Sequence, residues 1–298
     1  MAGLFNIFST KVTTFVEHDQ QCRILFVHIN DITTDSFYEA LHDTDGIIHI
    51  ASPVHLTVTD PEKDFLLSAI NGTINVLHAA HKYNQNYPKK IKRIVITSSF
   101  AAVNDASKGL RSVYSYTEKD WCPLTYADGL AAKNDHLTAY RAPKTCAERA
   151  AWEFLDKEKP SSTIATICAA MVSSPRITGL QSLDDMNSSN SFLRLLITSS
   201  KDAQMSDRKL HFQVDRYHIA AETWSHQAIA DIVHQSFVIP DSIKNTTSIG
   251  IEDEKLPYIY HIDSSRAQYE LGVTYIPLKM TIEDLILQFL KLKKTLAQ

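Results

Sequence analysis

"IKRIVITSS", residues 91–99, is the stretch whose reading settles the architecture. Its middle is an unbroken run of Ile and Val, and it ends in a threonine and two serines. It therefore reads as a buried strand with hydroxyls at its carboxyl end. A continuous apolar run suits a strand covered on both faces, as in a parallel sheet. Three other stretches share the pattern: "CRILFVHI" (22–29), "GIIHIAS" (46–52) and "STIATICAAMV" (162–172). Helical patterns lie between them. "TDPEKDFLLSAI" starts one, with Asp60 able to cap, Pro61 suited to the first helical position and Glu62 at the positive end of the dipole; it runs to about Tyr83. A helix over 140–158 puts Ala147, Ala151 and Phe154 on one face, and "MTIEDLILQFLKLKK" (280–294) is a last amphipathic helix. Strand and helix alternate over residues 20–172, which predicts an α/β fold, a Rossmann-like doubly wound parallel sheet. Beyond about residue 175 the chain becomes loop-rich. The expected organisation is a nucleotide-binding domain over 1–175 and a smaller C-terminal substrate lobe over 176–298, interleaved with it.

The 298 residues are 44% hydrophobic and 21% charged, as in an ordinary soluble globular protein. The formal net charge is −4 and the 30 basic residues are scattered apart from "KKIKR" at 89–93, so no nucleic-acid partner is expected. No stretch could span a bilayer, and the N-terminus lacks a basic segment followed by an apolar core. No membrane association is expected, and the default address is cytoplasmic. Cys22, Cys122, Cys146 and Cys168 form no CxxC pair, and the 13 histidines form no ligand-spaced cluster with acids, so neither a disulfide framework nor a metal site is expected.

"AYRAPKTCAERAAW" (139–152) places Tyr140 four residues before Lys144. That spacing alone says little: among 12 tyrosines about one such pair arises by chance, and Tyr275 with Lys279, interrupted by Pro277, serves as the structural control. Context distinguishes Tyr140, because the "TSS" ending of 91–99 sits about 40 residues upstream, at the carboxyl edge where open α/β sheets bind ligands. A phenol titrates near 10, too high to exchange protons readily at neutral pH, and a cation one helical turn away that favours phenolate is the natural remedy. Residues i and i+4 share a helix face. Ser99 could hydrogen-bond a substrate oxygen on which charge develops. The alternative is a strand-capping serine and a Tyr–Lys pair on a solvated helix.

"VITSSFAAV" and "AYRAPKTCAERAAWEFL", taken with "HIASPV" (49–54), "AINGTINVLHAA" (69–80) and "IDSSRAQYELGV", resemble the extended short-chain dehydrogenase/reductases of the NAD-dependent epimerase/dehydratase superfamily. Within that group the chain is most similar to the dihydroflavonol-4-reductase-like ketone and aldehyde reductases of fungi and plants, over roughly residues 20–298. The resemblance implies NADPH- or NADH-dependent reduction of a small carbonyl compound. Tyr140 would be the proton donor, Lys144 its activator and a ligand of the nicotinamide ribose, Ser99 the carbonyl-orienting hydroxyl, and Asn71 the holder of a relay water. It further implies cofactor contacts from Asp31 and Ile32 on the adenine side, from Ala51, Ser52 and Pro53 beneath the cofactor, and from Thr97, Val172 and Ser189. Val54, Phe100 and Met171 would wall the substrate pocket. His218 stands where relatives carry an aspartate and reads as a packed or surface residue, as Tyr258 and Tyr260 read as packing residues of the smaller lobe.

The chain also departs from that pattern. Up to residue 45 its only glycine is Gly3, so the G-x-x-G-x-x-G turn that brings backbone amides against a pyrophosphate is missing. "RILFVHINDIT" falls on the family's third strand, which leaves residues 1–20 for at most one helix. The expectation is an N-terminally truncated sheet, cofactor binding that is weak or lost, and an exposed strand edge open to self-association. Pro143, where a serine is common, is tolerable only in the first turn of its helix. "CAAMVSSP" replaces the usual Asn-Pro with Cys168-Ala169. Two other readings stand beside a reductase: a catalytically silent fold of this type acting as a binding or regulatory protein, and a truncated gene model.

Overall fold

A computed structural model describes residues 5–8, 24–50, 60, 62–88, 90–132, 135–169, 172, 173, 175, 190, 193, 194, 217, 220, 221, 225–250 and 260–296. The chain forms two compact units. One holds Met1–Gly109 and Tyr116–Ala169, the other Leu110–Ser115 and most of the chain from Ala170 onward.

In the first unit, β1 (Phe5–Phe8) pairs parallel with β2 (Ile24–Val27), Phe5 opposite Ile24 and Phe8 opposite Val27. This corrects the expectation of at most a helix over residues 1–20. "FNIF" is only four residues long, with a polar Asn6 among three apolar residues, so periodicity could not single it out. A short helix α1 (Tyr38–Leu41) leads to β3 (Gly46–His49), then α2 (Ser68–Asn86), β4 (Arg93–Ser99), α3 (Tyr126–Ala131), α4 (His136–Glu158) and β5 (Thr163–Ala169). Strands β3, β4 and β5 lie side by side in that order, all parallel, with Ile47 opposite Ile94 and Ile94 opposite Ile164. Parallel strands joined through helices make this a Rossmann-type α/β fold.

Because side chains alternate across a strand, Ile47, Ile94 and Ile96 face one side of this sheet. There they pack against Val76, Leu77 and Ala80 of α2 and Ala151 and Phe154 of α4. Each such isoleucine contributes about 1.5–3 kcal/mol by leaving water. Ile48, between two buried neighbours, is 62% exposed, so full coverage on both faces does not hold for β3.

Local chemistry explains where the helices begin. Asp60 accepts from the backbone N–H groups of Glu62 and Lys63, while its own N–H donates to Asp64, a reciprocal cap for the π-type turn Glu62–Leu67 that runs into α2. Helix α4 starts at His136, earlier than the sequence suggests, because Asp135 caps the N–H groups of Leu137 and Thr138. Pro143 therefore lies inside the helix and not in its first turn, which corrects the expectation for that residue. The ring costs α4 one backbone hydrogen bond, but it is buried on the same flank as Ala139, Ala142, Ala147 and Ala151, and that packing holds the helix through it.

Gly72 marks a close approach: a Cβ there would stand 3.2 Å from Cγ2 of Ile32. Beside it the Asn75 side-chain amide donates to the carbonyls of Ile32 and Asp35, which docks the turn after β2 onto α2.

The second unit is built on α5 (His226–Gln235), α6 (Asp241–Lys244), α7 (Ser265–Leu271) and α8 (Leu278–Leu296). Ile229 and Val233 pack with Ile239, Ile243, Ile282, Leu285, Ile286 and Phe289 in its own core. Helix α8 is the amphipathic C-terminal helix expected from "MTIEDLILQFLKLKK", extended by two residues at each end.

Candidate active site

Strand β4 ends at Ser99 in extended conformation, and its hydroxyl accepts a hydrogen bond from the N–H of Ala101, capping a single 3-10 turn over Phe100–Ala102. Helix α4 is tied to this turn by Thr145, whose hydroxyl reaches the carbonyl of Ala101 at 3.4 Å. The tie brings the phenol of Tyr140 to 3.4 Å from the Ser99 hydroxyl, to which it donates. One helical turn on, the ammonium of Lys144 lies 5.9 Å from the centre of the Tyr140 ring. Tyr140, Lys144 and Ser99 thus meet at the carboxyl end of β4.

Burial controls the electrostatics. It pushes the Tyr140 phenol above its ordinary value, with the Ser99 hydrogen bond pulling weakly the other way. It pushes Lys144 down to about 8, opposed slightly by Cys168. His49, buried at the end of β3, is pushed down to about 4 by burial and then by the charge of Lys144. A lysine that lowers the phenol was the expectation from spacing. Here the cation sits 5.9 Å from the ring centre and the loss of solvent dominates the phenol.

Sequence reasoning missed the group beneath this trio. Glu148, one turn beyond Lys144, is 2% exposed. Its Oε2 accepts from Ser98 at 2.8 Å and from the Cys168 thiol at 3.2 Å; its Oε1 accepts from Thr166 at 2.8 Å and from the Trp152 indole at 3.4 Å. The signal was present: Glu148 is a charged residue embedded among Ala147, Ala151 and Phe154, on the apolar flank of the helix. Beside it is a small cavity lined by His49, Ala69, Thr73, Ile96, Thr97, Ser98, Lys144, Ala147 and Glu148, with about 20 Å³ open to the centre of a water molecule.

The other positions singled out from sequence are distributed as follows. Asp31 accepts from both the N–H and the hydroxyl of Thr33, which holds its carboxyl below the usual range. Ile32 packs against Gly72, and Thr97 lines the small cavity. Asn71 is exposed on α2 and is not part of the cavity lining. Phe100 is 1% exposed and stacks edge-on against Tyr116 at 5.6 Å, which commits its ring to the core. Val172 is 57% exposed. Ala51, Ser52, Pro53, Val54, Met171, Ser189, His218 and Tyr258 lie outside the described residues.

These residues fit one end of a nicotinamide nucleotide better than its middle. Two hydroxyls and an amine gather where a ribose and a reacting carbonyl need donors, and the acceptor-only side chain of Asp31 suits an adenine amino group. The start of α2 carries Glu62 and Asp64 with Asp60 as cap, a poor place for a pyrophosphate. Among the described residues no group of three or more His, Cys, Asp and Glu side chains gathers to hold a metal, and no helix is long and apolar enough to cross a membrane.

The chain is similar to several known proteins. Residues 8–153 match the 3-beta hydroxysteroid dehydrogenase/isomerase family. An uncharacterized oxidoreductase of Schizosaccharomyces pombe is 40% identical over 183 residues, 61% of this chain and 53% of that relative's length. The NADPH-dependent methylglyoxal reductase of Saccharomyces cerevisiae is 26% identical over 269 residues, 82% of this chain and 76% of the relative. The crystal structure of yeast methylglyoxal/isovaleraldehyde reductase complexed with NADPH superposes with a TM-score of 0.79 at 24% identity, covering 92% of this chain and 86% of that one. The chain is thus similar to short-chain-type reductases over about half of its length or more, and it has the Rossmann-type fold of the solved reductase structures.

Proposed function

We propose that this protein reduces a small ketone or aldehyde to the corresponding alcohol, with NADPH, or failing that NADH, as the reductant. The observation that carries the reading is the 3.4 Å approach of the Tyr140 and Ser99 hydroxyls, with Lys144 one turn along the same helix. Similarity to NADPH-dependent reductases of small carbonyl compounds supports the substrate class and the cofactor. The reduced nicotinamide, when bound, supplies the hydride. Lys144 would hold its ribose, and Asp31 with the Ile32 turn would meet the adenine side.

The remaining chemistry belongs to the chain's own residues. The Ser99 oxygen is occupied by the Ala101 N–H, which leaves its proton for the substrate oxygen and orients the carbonyl. Tyr140, raised by burial, keeps its proton until negative charge builds on that oxygen, then donates it. Lys144, buried beside the ring, stabilises the phenolate left behind. The same reading places the protein in the cytoplasm, in keeping with thiols rather than disulfides at Cys122, Cys146 and Cys168.

Purified wild type and Tyr140→Phe, assayed with methylglyoxal and short aldehydes against NADPH and NADH, test the proposal. Turnover in Tyr140→Phe should fall by about 10²–10⁴-fold, the usual contribution of a positioned general acid. Equal turnover removes Tyr140 from the mechanism. A wild type that binds neither nucleotide at millimolar concentration sinks the reductase reading and leaves the silent-fold one.

A further inference from the structure

Tyr140 sits on a weakened turn of its own helix. Pro143 has no N–H to give the carbonyl of Ala139, so the turn of α4 that carries the phenol lacks one hydrogen bond of the helical ladder. A hold from outside the ladder therefore decides how far Tyr140 stands from Ser99.

Two residues of α4 reach the segment that follows Ser99, and each comes directly after a site residue: Arg141 after Tyr140, and Thr145 after Lys144. Thr145 holds the more weakly. Its single hydroxyl proton has the Arg141 carbonyl at 2.8 Å, whereas the Ala101 carbonyl stands at 3.4 Å. Arg141 grips harder, because its charged Nη2 donates to both the backbone carbonyl and the side-chain Oδ1 of Asn104, the latter at 2.6 Å. Its Nε is buried without a partner, so the grip on Asn104 is what places the guanidinium. Asn104 passes the hold on to Ser99. It is buried, its N–H donates to the Phe100 carbonyl at 3.0 Å, and its side-chain amide donates at 3.2 Å to the hydroxyl of Tyr116, whose ring meets Phe100 edge-on. Phe100 directly follows Ser99, and the Ser99 hydroxyl is tied to the N–H of Ala101. Residues 99–104 thus form one braced turn.

We infer that Arg141 is a positioning residue for the reductase site: its grip on Asn104 holds the turn that carries Ser99 against the turn of α4 that carries Tyr140, and so sets the distance between the two hydroxyls. Arg141 bonds to neither hydroxyl and acts through Asn104. The inference rests on the reductase reading for its purpose but not for its measurement.

The test follows the Tyr140 phenol directly, in full-length protein labelled with 13Cζ-tyrosine, its resonance identified by its loss in Tyr140→Phe. Ser99→Ala calibrates the probe by removing the partner hydroxyl outright. Arg141→Met keeps the aliphatic stem and removes the grip. It should move the Tyr140 resonance in the same direction as Ser99→Ala, and it should lower kcat by about 10- to 100-fold with KM for the nucleotide unchanged, the size of a misplacement of about 1 Å. Asn104→Ala removes one of the two acceptors and should have a smaller effect of the same kind. The double variant should lose less than the product of the two single losses, because the residues act through each other. Arg149→Met releases the carbonyls of Cys122 and Leu124 from the same helix and should leave the Tyr140 resonance in place. An unchanged resonance in folded Arg141→Met overturns the inference, and so does an equal shift in Arg149→Met, which is a general loosening of α4. A Ser99→Ala resonance that coincides with wild type overturns it too, since no contact between the hydroxyls is then being held. If Arg141→Met does not fold, Asn104→Ala set against Arg149→Met decides by the same criterion. A wild type with no carbonyl reduction removes the proposed reaction, while the Tyr140 resonance still decides the role of Arg141 by itself.

Discussion

The two faces of the β3–β4–β5 sheet are made by the same strands and end in different environments. On the helix-covered face Ile94 and Ile96 are almost wholly buried, and towards the carboxyl end the apolar residues give way to Ser98, Thr166, Cys168 and His49, all buried as well. On the opposite face Ile48 is 62% exposed, and Arg93 and Thr163 are exposed too. Ile48 and His49 are neighbours in sequence, the apolar one in water and the imidazole out of it. Strand composition therefore does not make the site. Helices α2 and α4 do, because they remove water from one face, and α4 brings in Lys144 and Glu148 in the same step. Burial then moves the titrations of Tyr140, Lys144 and His49 in the directions seen.

The sharpest way to break this contrast is at Ile94, 1% exposed at the centre of the covered face. Ile94→Ala removes three buried carbons from a site packed by α2 and α4 and should cost about 2–5 kcal/mol, read as a lower urea midpoint at an unchanged slope. A cost below that range would mean that the covered face is loosely packed and that its electrostatics need another explanation.

The same contrast explains what the sequence revealed. Strands β3, β4 and β5 were legible because their Ile and Val runs are bounded by polar residues, and α4 because its Ala and Phe positions repeat at helical spacing. Tyr140, Lys144 and Ser99 could be placed in one site because both elements that carry them were legible. Strand β1 was not, since "FNIF" gains its identity only from pairing with β2, a contact distant in sequence. The start of α4 was misplaced because the capping role of Asp135 outweighs the break that Pro143 suggests. Glu148 and His49 were passed over for a common reason. Apart from the place of Glu148 on an apolar helix flank, nothing local marks either residue as buried, because their cover comes from elements up to 100 residues away.

His49 offers a pH-dependent test of that cover. The unfolded imidazole takes up a proton as pH falls through about 6.5, whereas the folded one, pushed down to about 4, does so only well below. Between those values the unfolded chain binds more protons. Stability is therefore fully present above 6.5 and falls as the pH is lowered towards 4, by on the order of 3 kcal/mol for a shift of this size. His49→Leu should flatten this part of the stability profile, measured by urea unfolding at intervals from pH 7 to pH 4.5. A mutant profile parallel to the wild type would show that His49 is hydrated in solution.

The smallest expected effect falls on the other face. Ile48→Thr keeps a β-branched side chain in β3 while exchanging a mostly exposed ethyl group for a hydroxyl, so its cost should stay within about 0.5 kcal/mol. Set against Ile94→Ala, one residue along the facing register, it measures the difference between the faces directly. A cost at Ile48 that approaches the one at Ile94 would mean that this side chain is covered in solution. If that cost also grew with protein concentration, the cover would be a second copy of the chain, because only an association equilibrium ties stability to concentration. A concentration-independent cost would place the cover within the same chain, and the difference between the faces would then be one of composition after all.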